Sequence, residues 1–457
     1  MSRAERRAAA GIVLLAAALR FIYLGEWSFW ADEIYTLRDA AQFPKPLRLN
    51  PLPYAAVSLC LKLFGTSEWS ARLAPALIGA ASVPLTLALG RRLFSMRVGL
   101  IASALVAVSP WHLYWSQNAR HYAFAFFFAL LAAWAFYAAF EKGGIWRTLA
   151  ALGALISLSL SHTPASVLWL GFAGYAFIRW RLRARFPLPQ DAPRFCLFYF
   201  GPIALAGLAA LTIPALREGV MSGWGRNMWS RGALYVLLTF AHGLTWPTAA
   251  ALLFSLCGGF SSVPRLFCWC TLAFPFMFFL TASLFQNVAG YYLFFLTPFA
   301  LLLAAYASRR SRVAVAALLA AALFQTALYY GAENGGRPDW RAALKQTAER
   351  AEPNSAIYFH APELGGYYAK KRNVRWVKIG LNRVQNPETA DWAKRAYVIW
   401  DAKWASSVDP TGAFHRWLDA NGRRIVRVPG YARASDRTIE AFCLNSAPKE
   451  SLQFKPK

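Results

Sequence analysis

Long apolar runs alternate with short polar segments over the first 330 residues of the chain. A helix needs about 20 mostly apolar residues to cross the hydrocarbon core of a bilayer. Runs of about this length occur at 8–25, 71–94, 98–116, 122–140, 145–162, 164–180, 195–215, 233–258, 266–285, 291–307 and 312–330. The pattern predicts eleven membrane-spanning helices, with a break inside the run 233–258.

The pattern changes after about residue 331. An amphipathic helix is predicted over 337–351, and a further helix is predicted over 410–420. Short strand-like runs lie at 356–359, 374–378, 396–399, 425–428 and 439–444. Because strands alternate with helices here, we expect a small α/β domain. The sequence therefore predicts a membrane domain over 1–331 and a soluble domain over 332–457.

Composition agrees with a membrane protein and argues against a nucleic-acid partner. The chain is 57% hydrophobic and carries a net charge of +27. Basic residues hold cytoplasmic loops of membrane proteins in place and face anionic lipids, and no zinc-finger or RNA-binding signature is present. The six cysteines are scattered without the spacing of a zinc or redox site. We expect membrane lipids as partners, no nucleic acid and no metal site.

The distribution of basic residues predicts which loops face outward. If the chain crosses the membrane at each predicted span, most arginine and lysine residues lie in loops on the same side as the N-terminus. Basic loops are typical of the cytoplasmic side. The first loop, residues 26–70, and the C-terminal domain are then on the outer side. Within that loop, residues 52–64 are apolar but too short to span, so we expect a helix lying along the interface.

Two adjacent carboxylates in the first loop are the leading candidates for chemistry. Asp32 and Glu33 follow Trp30 and precede Tyr35, in a stretch rich in aromatic rings. A carboxylate in such surroundings can accept a proton from a hydroxyl group. The alternative is that one of the two acids caps a short helix.

Further polar residues are predicted at the same outer face. Arg20 ends the first span, Arg120 follows the third, and His162 lies in the next outer turn. A charge at membrane depth costs about 2.5–3.5 kcal/mol on insertion scales, so it usually has a partner or a function. Arginine could neutralise the phosphate of an anionic lipid-linked substrate. Alternatively, Arg20 reaches the interface or pairs with Glu26, Arg120 marks a helix end and His162 caps a helix.

Five segments together resemble bacterial members of the protein O-mannosyltransferase-like (family 39) glycosyltransferases. They are Arg20 with Phe29-Trp30-Ala31-Asp32-Glu33, Leu63-Phe64-Gly65-Thr66-Ser67-Glu68-Trp69-Ser70-Ala71-Arg72-Leu73, Gly90-Arg91-Arg92-Leu93-Phe94, Ser116-Gln117-Asn118-Ala119-Arg120-His121-Tyr122 and Asp339-Trp340-Arg341. The resemblance is dense from residue 20 to 180 and looser afterwards.

The resemblance implies a GT-C fold: an all-α membrane domain of about eleven helices with a small C-terminal α/β domain in the periplasm. It implies a hexosyl- or pentosyltransferase of the bacterial inner membrane that uses a polyprenyl-phosphate sugar and inverts the anomeric centre. No other cofactor and no metal are expected. The acceptor could be a glycan, a lipid or a protein.

The resemblance also assigns roles to residues of this chain. Asp32 and Glu33 are expected to be catalytic, with Asp32 as general base or acceptor binder. For Arg120 the resemblance implies a contact with the donor phosphate. The other polar and aromatic residues of the outer face complete the expected site, with Tyr122, Arg20, His162 and Tyr292 binding the donor and Trp30 and Tyr35 binding the acceptor. Relatives often carry other residues at Asn118, at 50–53 and at Tyr291.

Two other classes of protein fit the same apolar pattern. A lipid or solute transporter, or flippase, usually shows inverted repeats and broken helices near the middle of the membrane. Here the polar residues cluster at one face, which favours an enzyme. An inactive GT-C-like scaffold would leave the acidic pair without a role.

Overall fold

The computed structural model describes residues 1–44, 50–214, 217–218, 232–257, 259, 261–353, 355–393, 395–401, 405–406, 408–432 and 435–445. Helices dominate up to residue 331, and strands alternate with helices beyond it.

The predicted apolar runs coincide with helices. The helices up to residue 331 are α1 (Arg3–Phe21), α2 (Ala31–Ala41), α3 (Pro51–Phe64), α4 (Glu68–Leu93), α5 (Met96–Ala107), α6 (Pro110–Ser116), α7 (Tyr122–Lys142), α8 (Ile145–Ser161), α9 (Leu168–Arg181), α10 (Ala192–Thr212), α11 (Gly232–Leu244), α12 (Trp246–Phe254), α13 (Val263–Ala282), α14 (Thr297–Ser308) and α15 (Arg312–Gly331). Short 3₁₀ turns precede α9 and α14, at Thr163–Val167 and Gly290–Leu296. Residues 215 and 258, the last of two predicted runs, lie outside the described residues.

Fewer helices than predicted are long and apolar enough to cross a membrane alone. Six in the described part of the chain meet that test, or up to eight if each bent pair counts as one span. One bent pair is α5 with α6, at 60°, and the other is α11 with α12, at 102°. The second break lies at Thr245, which has a φ of 72°, inside the run where a break was expected. The protein is thus a multi-pass membrane protein, and the count of eleven spans stays a prediction.

The first loop contains two helices. A helix is observed where the interfacial helix was expected: α3 begins after Asn50 with a proline in its first turn and ends at Phe64, before Gly65. Its position along the membrane interface stays a prediction. The shorter α2 was expected only as the alternative in which an acidic residue caps a helix. It places Asp32 and Glu33 in its first turn, where the positive end of the helix dipole stabilises negative charge.

The C-terminal part is the predicted α/β fold. Its helices are α16 (Trp340–Arg350), α17 (Pro362–Lys371), α18 (Leu381–Gln385) and α19 (Ala413–Asn421), and its strands are β1 (Ala356–Phe359), β2 (Trp376–Lys378), β3 (Arg395–Asp401), β4 (Gly422–Val428), β5 (Tyr431–Ala432), β6 (Ser435–Asp436) and β7 (Ile439–Asn445). All five predicted strands are present. The hairpin β5–β6 and the helices α17 and α18 were not predicted from the sequence.

The main sheet is mixed. Its strand order is β2-β1-β3-β7-β4. Strands β2, β1 and β3 run parallel, with Ile357 opposite Trp376 and Tyr397, while β7 is antiparallel to both β3 and β4. One face packs against helices through a core that includes Trp400, Phe414 and Phe442. Successive strand residues face opposite sides of the sheet, and β1 and most of β3 are buried on both faces.

Contacts divide the chain into two compact units. The first unit contains residues 1–24, 39–66 and 70–326, and the second contains 25–38, 67–69 and 327–457. The segment 25–38, which carries the acidic pair, therefore packs with the C-terminal part of the chain. The division predicted from the sequence, with a membrane domain over 1–331 and a soluble domain over 332–457, stays a prediction.

Tight aromatic packing holds the helices of the first unit. The ring of Phe136 on α7 stacks on that of Phe172 on α9, with centroids 4.3 Å apart. Phe267 on α13 stacks nearly parallel to both rings. At Gly171 a side chain would collide with the backbone of Thr271, so glycine permits the close approach of α9 and α13.

Candidate active site

The two adjacent carboxylates of α2 lie in different surroundings. Consecutive residues of a helix are rotated by about 100° around its axis. Asp32 is partly exposed, whereas Glu33 has no exposed surface. The backbone N–H of Trp30 donates to Glu33 Oε2 at 3.4 Å. Asp32 is therefore the carboxylate that a hydroxyl substrate can reach more readily.

Glu33 forms a buried ion pair with Arg337. Glu33 Oε2 lies 3.7 Å from Arg337 Nε, and the two side chains are 0% and 1% exposed. Arg337 also donates to the carbonyl of Gly335 at 2.9 Å. Removing one partner of a buried pair leaves an uncompensated charge and typically costs about 3–5 kcal/mol. The carboxylate of Glu33 is thus engaged in holding α2.

Trp30 and Tyr35, the predicted acceptor-binding residues, flank the acidic pair and are partly exposed. The hydroxyl of Tyr35 donates to Glu363 Oε1 at 3.0 Å. Burial, together with the hydrogen bond to the Glu363 carboxylate, raises the pKa of Tyr35 to about 12. Tyr35 therefore stays a neutral hydroxyl at physiological pH.

Arg20 is fully buried in the first unit and hydrogen-bonded to protein atoms. The bend between α5 and α6 at Pro110 leaves carbonyl groups at the end of α5 without helical donors. The guanidinium of Arg20 donates to Ala16 O at 2.9 Å, Val106 O at 3.0 Å and Ala107 O at 3.1 Å, and contacts His112 Nδ1 at 2.8 Å. Neither sequence-based alternative for Arg20, reaching the interface or pairing with Glu26, describes this arrangement.

Gln117 makes the reciprocal connection. Its side-chain Nε2 lies 3.2 Å from Leu19 O, 3.2 Å from Arg20 O and 2.7 Å from Ile22 O. These carbonyls belong to the C-terminal end of α1, where helical donors run out. Sequence reasoning gave Gln117 no role, although the residue lies in the segment 116–122 that carried the family resemblance. Together Arg20 and Gln117 fix the segment that leads to Arg120.

Aromatic rings from three distant parts of the chain meet beside Arg120. The ring centroid of Tyr122 lies 4.0 Å from that of Trp115, 5.3 Å from that of His162 and 5.5 Å from that of Tyr291. Tyr292 contacts His162 at 5.7 Å. The structure therefore brings together three of the predicted donor-binding residues, Tyr122, His162 and Tyr292.

His162 also stacks on His121, a residue to which the sequence gave no role. The two imidazole centroids are 4.6 Å apart and nearly parallel. His162 follows the last residue of α8, and neither of its ring nitrogens has a hydrogen-bond partner among the described residues. The positive charge of Arg120 acts on both imidazoles. Two rings and a guanidinium thus form a concentrated set of potential donors for an anion.

The turn that holds His162 is tied to the start of α3. The backbone N–H of Thr163 donates to Asn50 Oδ1 at 3.1 Å. Asn50 is one of the positions at which relatives often carry another residue. Its amide therefore supports the turn geometry here.

The predicted site residues fall into two sets. The first unit holds Arg20, Arg120, Tyr122, His162 and Tyr292, and the second holds Trp30, Asp32, Glu33 and Tyr35. Convergence of the two sets on one cavity stays a prediction. In the described residues there is no group of three or more His, Cys, Asp or Glu side chains that could hold a metal ion.

Comparison with known proteins finds a family model and a curated relative that are similar to part of the chain. Residues 45–205 match the family model described as dolichyl-phosphate-mannose-protein mannosyltransferase. A candidate mannosyltransferase of Bacillus subtilis (strain 168), YkcB, is 29% identical over 163 residues. That match covers 31% of this chain and 22% of YkcB, so the chain spans about a fifth of that relative's length.

Two solved structures are similar over most of the chain. ArnT from Cupriavidus metallidurans, bound to undecaprenyl phosphate, is 14% identical, with a TM-score of 0.59, and the match covers 95% of this chain and 97% of ArnT. The oligosaccharyltransferase AglB from Archaeoglobus fulgidus, in complex with an inhibitory peptide and a dolichol-phosphate, is 14% identical with a TM-score of 0.51. That match covers 93% of this chain and 73% of AglB. The chain thus has the GT-C fold, and the resemblance to the protein O-mannosyltransferase-like glycosyltransferases is confirmed by the family pattern of its residues 45–205.

Proposed function

We propose that the protein is an integral-membrane glycosyltransferase that moves a sugar from a polyprenyl-phosphate donor to an acceptor hydroxyl. The single observation that carries this proposal is the fold shared along 95% of the chain with ArnT bound to undecaprenyl phosphate. The site is assigned to the outer face of the bacterial inner membrane, with the second unit on the same side. The basic residues of the predicted inner loops support that orientation.

In the proposed reaction Asp32 is the general base. Its carboxylate accepts the proton of the acceptor hydroxyl while the acceptor oxygen forms a bond to the anomeric carbon. The bond from that carbon to the phosphate oxygen breaks, and polyprenyl phosphate leaves with both bonding electrons. Attack from the face opposite the leaving group inverts the anomeric centre. The partial exposure of Asp32, beside the buried Glu33, supports this assignment.

The donor phosphate is assigned to Arg120. Guanidinium groups bind phosphate through paired, charge-assisted hydrogen bonds. The ring of His162 lies 5.3 Å from that of Tyr122 and 5.7 Å from that of Tyr292. These rings offer flat apolar surfaces and polar edges to the sugar or the first isoprene units. In this proposal Arg20 does not contact the donor but holds α1 and α5 together, because its guanidinium donates to carbonyls of both helices.

The acceptor is assigned to the surface beside Asp32, with Trp30 and Tyr35 as contacts. Sugars and peptides both pack well on aromatic rings that carry a polar group. The acceptor class stays open to a glycan, a lipid or a protein, and the sugar to a hexose or a pentose.

The test uses the purified full-length protein in lipid vesicles. Radiolabelled undecaprenyl phosphate mannose is the first donor probe, with glucose and arabinose analogues in parallel and a cell-envelope extract as acceptor. Release of undecaprenyl phosphate by the wild type and by Asp419→Asn, an exposed acid of the second unit, but not by Asp32→Asn, supports the proposal. Movement of the labelled donor across the vesicle without release would instead identify a transporter. Lack of both release and movement with every donor would overturn catalysis and favour the scaffold.

A further inference from the structure

Residues of the C-terminal part hold the first-loop segment through buried and partly buried polar contacts. We call this set the loop anchor; it consists of Ser28, Phe29, Glu33 and Tyr35 on the segment and Arg337, Trp340, Glu363 and Tyr368 on the C-terminal part. All eight belong to the second unit. In the sequence, the anchor residues of the segment lie both before and after Asp32.

Arg337 is the charged member of the anchor. Besides the pair with Glu33, its guanidinium carbon lies 5.7 Å from the ring centroid of Trp27, within the range of a cation–π contact. Gly335, whose carbonyl Arg337 bonds, has a φ of 63°, and a side chain there would collide with the Trp27 ring. The turn before α16 therefore has little freedom to move Arg337.

Tyr368 and Ser28 hold the segment just before α2. The hydroxyl of Tyr368 accepts from Phe29 N at 2.6 Å and donates to Glu68 Oε1 at 3.0 Å. The hydroxyl of Ser28 donates to Pro338 O at 2.8 Å and accepts from Trp340 N at 3.2 Å. Each hydroxyl is buried and both donates and accepts a hydrogen bond. Moving either one would leave buried polar groups without a partner, which costs free energy.

The consequence concerns the placement of Asp32. Its neighbour Glu33 is held by Arg337, and the backbone three residues before it is held by Tyr368. A displacement of about 1 Å in a reacting group can cost roughly a hundredfold in rate. A carboxylate on an exposed loop would otherwise sample many positions.

We propose that the Glu33–Arg337 ion pair is a positioning device, through which the C-terminal part of the chain sets the orientation of the Asp32 carboxylate. The role in the reaction rests on the proposed function, whereas the ordering of α2 by Arg337 does not. Arg337 touches neither substrate in this proposal. It acts through Glu33.

The test measures ordering and activity separately on the full-length protein. Hydrogen–deuterium exchange of peptides covering residues 25–38 reports the ordering of α2, and donor-dependent release of undecaprenyl phosphate reports the reaction. The variants are Arg337→Met, Arg337→Lys, Glu33→Gln and the double variant Glu33→Gln/Arg337→Met. Tyr368→Phe is a milder variant that keeps the ring and removes the hydroxyl.

The matched control is Arg179→Met. Arg179 is also a buried arginine in an ion pair, with Glu141 at 2.7 Å and an exposed fraction of 2%, but it lies in the first unit on α9. Its loss should lower overall stability without changing exchange in residues 25–38. This control separates a local effect on α2 from general loosening of the protein.

We expect Arg337→Met to speed exchange in residues 25–38 and to lower kcat by roughly ten- to a hundredfold, with an unchanged KM for the donor. Arg337→Lys should recover part of both, since lysine keeps the charge without the fork. The double variant should be no worse than the poorer single variant, because paired residues are not additive. Tyr368→Phe should give a smaller change in the same direction.

Unchanged exchange in residues 25–38 for both Arg337→Met and Tyr368→Phe would overturn the positioning proposal, whatever the activity. Additive losses in the double variant would also contradict it. If the wild type released no undecaprenyl phosphate from any donor, the proposed function would fail. The exchange data would still decide whether Arg337 orders α2.

Discussion

At the scale of single residues, one step along a helix separates an accessible carboxylate from a buried one. Asp32 and Glu33 share the first turn of α2, yet Glu33 faces Arg337 while Asp32 keeps contact with solvent. Desolvation makes an unpaired buried carboxylate expensive, so Glu33 depends on Arg337. Asp32 is partly exposed, which is the reason for proposing it as the carboxylate that meets the acceptor.

Replacing Asp32 by asparagine keeps the volume and removes the proton acceptor. General bases typically contribute about 10²–10⁴-fold, and we expect a loss of kcat in this range for Asp32→Asn. Glu33→Gln should lose less, because its effect comes through position. The measurement is the initial rate of transfer at saturating donor, with the folded fraction checked by gel filtration. Near-normal turnover in folded Asp32→Asn would reject the assignment of the base.

Arg120 allows a second test at this scale. If it binds the donor phosphate, Arg120→Ala loses a charge-assisted contact worth about 1.5–3 kcal/mol. The donor concentration for half-maximal rate should then rise roughly tenfold to a hundredfold, and Arg120→Lys should recover only part.

The control for Arg120 is Arg97→Ala, which removes an exposed arginine at the start of α5. It should leave the donor dependence unchanged. An unchanged donor dependence in Arg120→Ala as well would remove Arg120 from the site.

At the scale of elements, the C-terminal ends of α1 and α5 are each capped by a side chain from a different helix or from the residue after it. Arg20 at the end of α1 bonds carbonyls of α5, and Gln117 after α6 bonds carbonyls of α1. Such ends leave unpaired carbonyls that need a donor in an apolar environment. The bent pair α5–α6 is therefore stabilised by two polar side chains, of which the sequence suggested Arg20 for substrate binding and gave Gln117 no role.

Gln117→Leu removes the donor while keeping a side chain of similar size. Leaving buried carbonyls unsatisfied costs about 1–3 kcal/mol, so the midpoint of thermal unfolding in detergent should fall by a few degrees. Gln286→Leu, at a partly exposed glutamine, is the control and should shift the midpoint little. An unchanged midpoint in Gln117→Leu would show that the cap does not stabilise the helix pair.

The sheet of the second unit carries a pH-sensitive residue. His360 follows β1 and lies between the rings of Trp340 and Trp400, at 5.5 Å and 4.7 Å. Burial lowers the pKa of His360 from 6.5 to about 4. The unfolded chain then binds more protons between pH 6.5 and 4, so the free energy of unfolding falls as the pH falls through this window.

The loss should amount to at most about 3 kcal/mol, since one pKa unit corresponds to about 1.4 kcal/mol. His360→Phe should remove this part of the acid sensitivity. The measurement compares the thermal midpoints of wild type and variant from pH 7 to pH 4; a constant difference between them across this range would contradict the buried neutral imidazole.

At the scale of the whole molecule, the chain order and the packing order differ. Residues 25–38 and 67–69 leave the apolar helices and pack with residues 327–457. The segment with the acidic pair is therefore a part of the C-terminal unit by contact, although it follows the first helix in sequence. Under the proposed function, we expect a variant in the C-terminal part to affect the reaction without touching a substrate.

The side of the membrane on which the C-terminus lies can be tested with a reporter. If the eleven predicted spans place the C-terminal unit outside, a reporter that is active only in the cytoplasm should stay silent when fused after Lys457. The same reporter inserted at Gly144, in a predicted inner loop, should be active. Strong activity after Lys457 would overturn the predicted topology and the outer placement of the site.

Much of the local structure of this protein follows from patterns in its sequence. Apolar runs of helical length located the membrane-domain helices, and short strand-like runs located the five strands of the main sheet, because these patterns depend on residues that are neighbours in the chain. The same patterns singled out Asp32, Arg120 and His162, since polar groups at membrane depth are rare.

The partners of the polar residues follow from packing between elements that are distant in the chain. Arg20 looked like a ligand-binding cation from its position, but the break between α5 and α6, a property of packing, gives it carbonyls to bond. Glu33 and Arg337 are separated by about three hundred residues, and no periodicity relates positions so far apart. Contacts of this kind depend on how helices and strands pack, because desolvation and hydrogen bonding are set by neighbours in space.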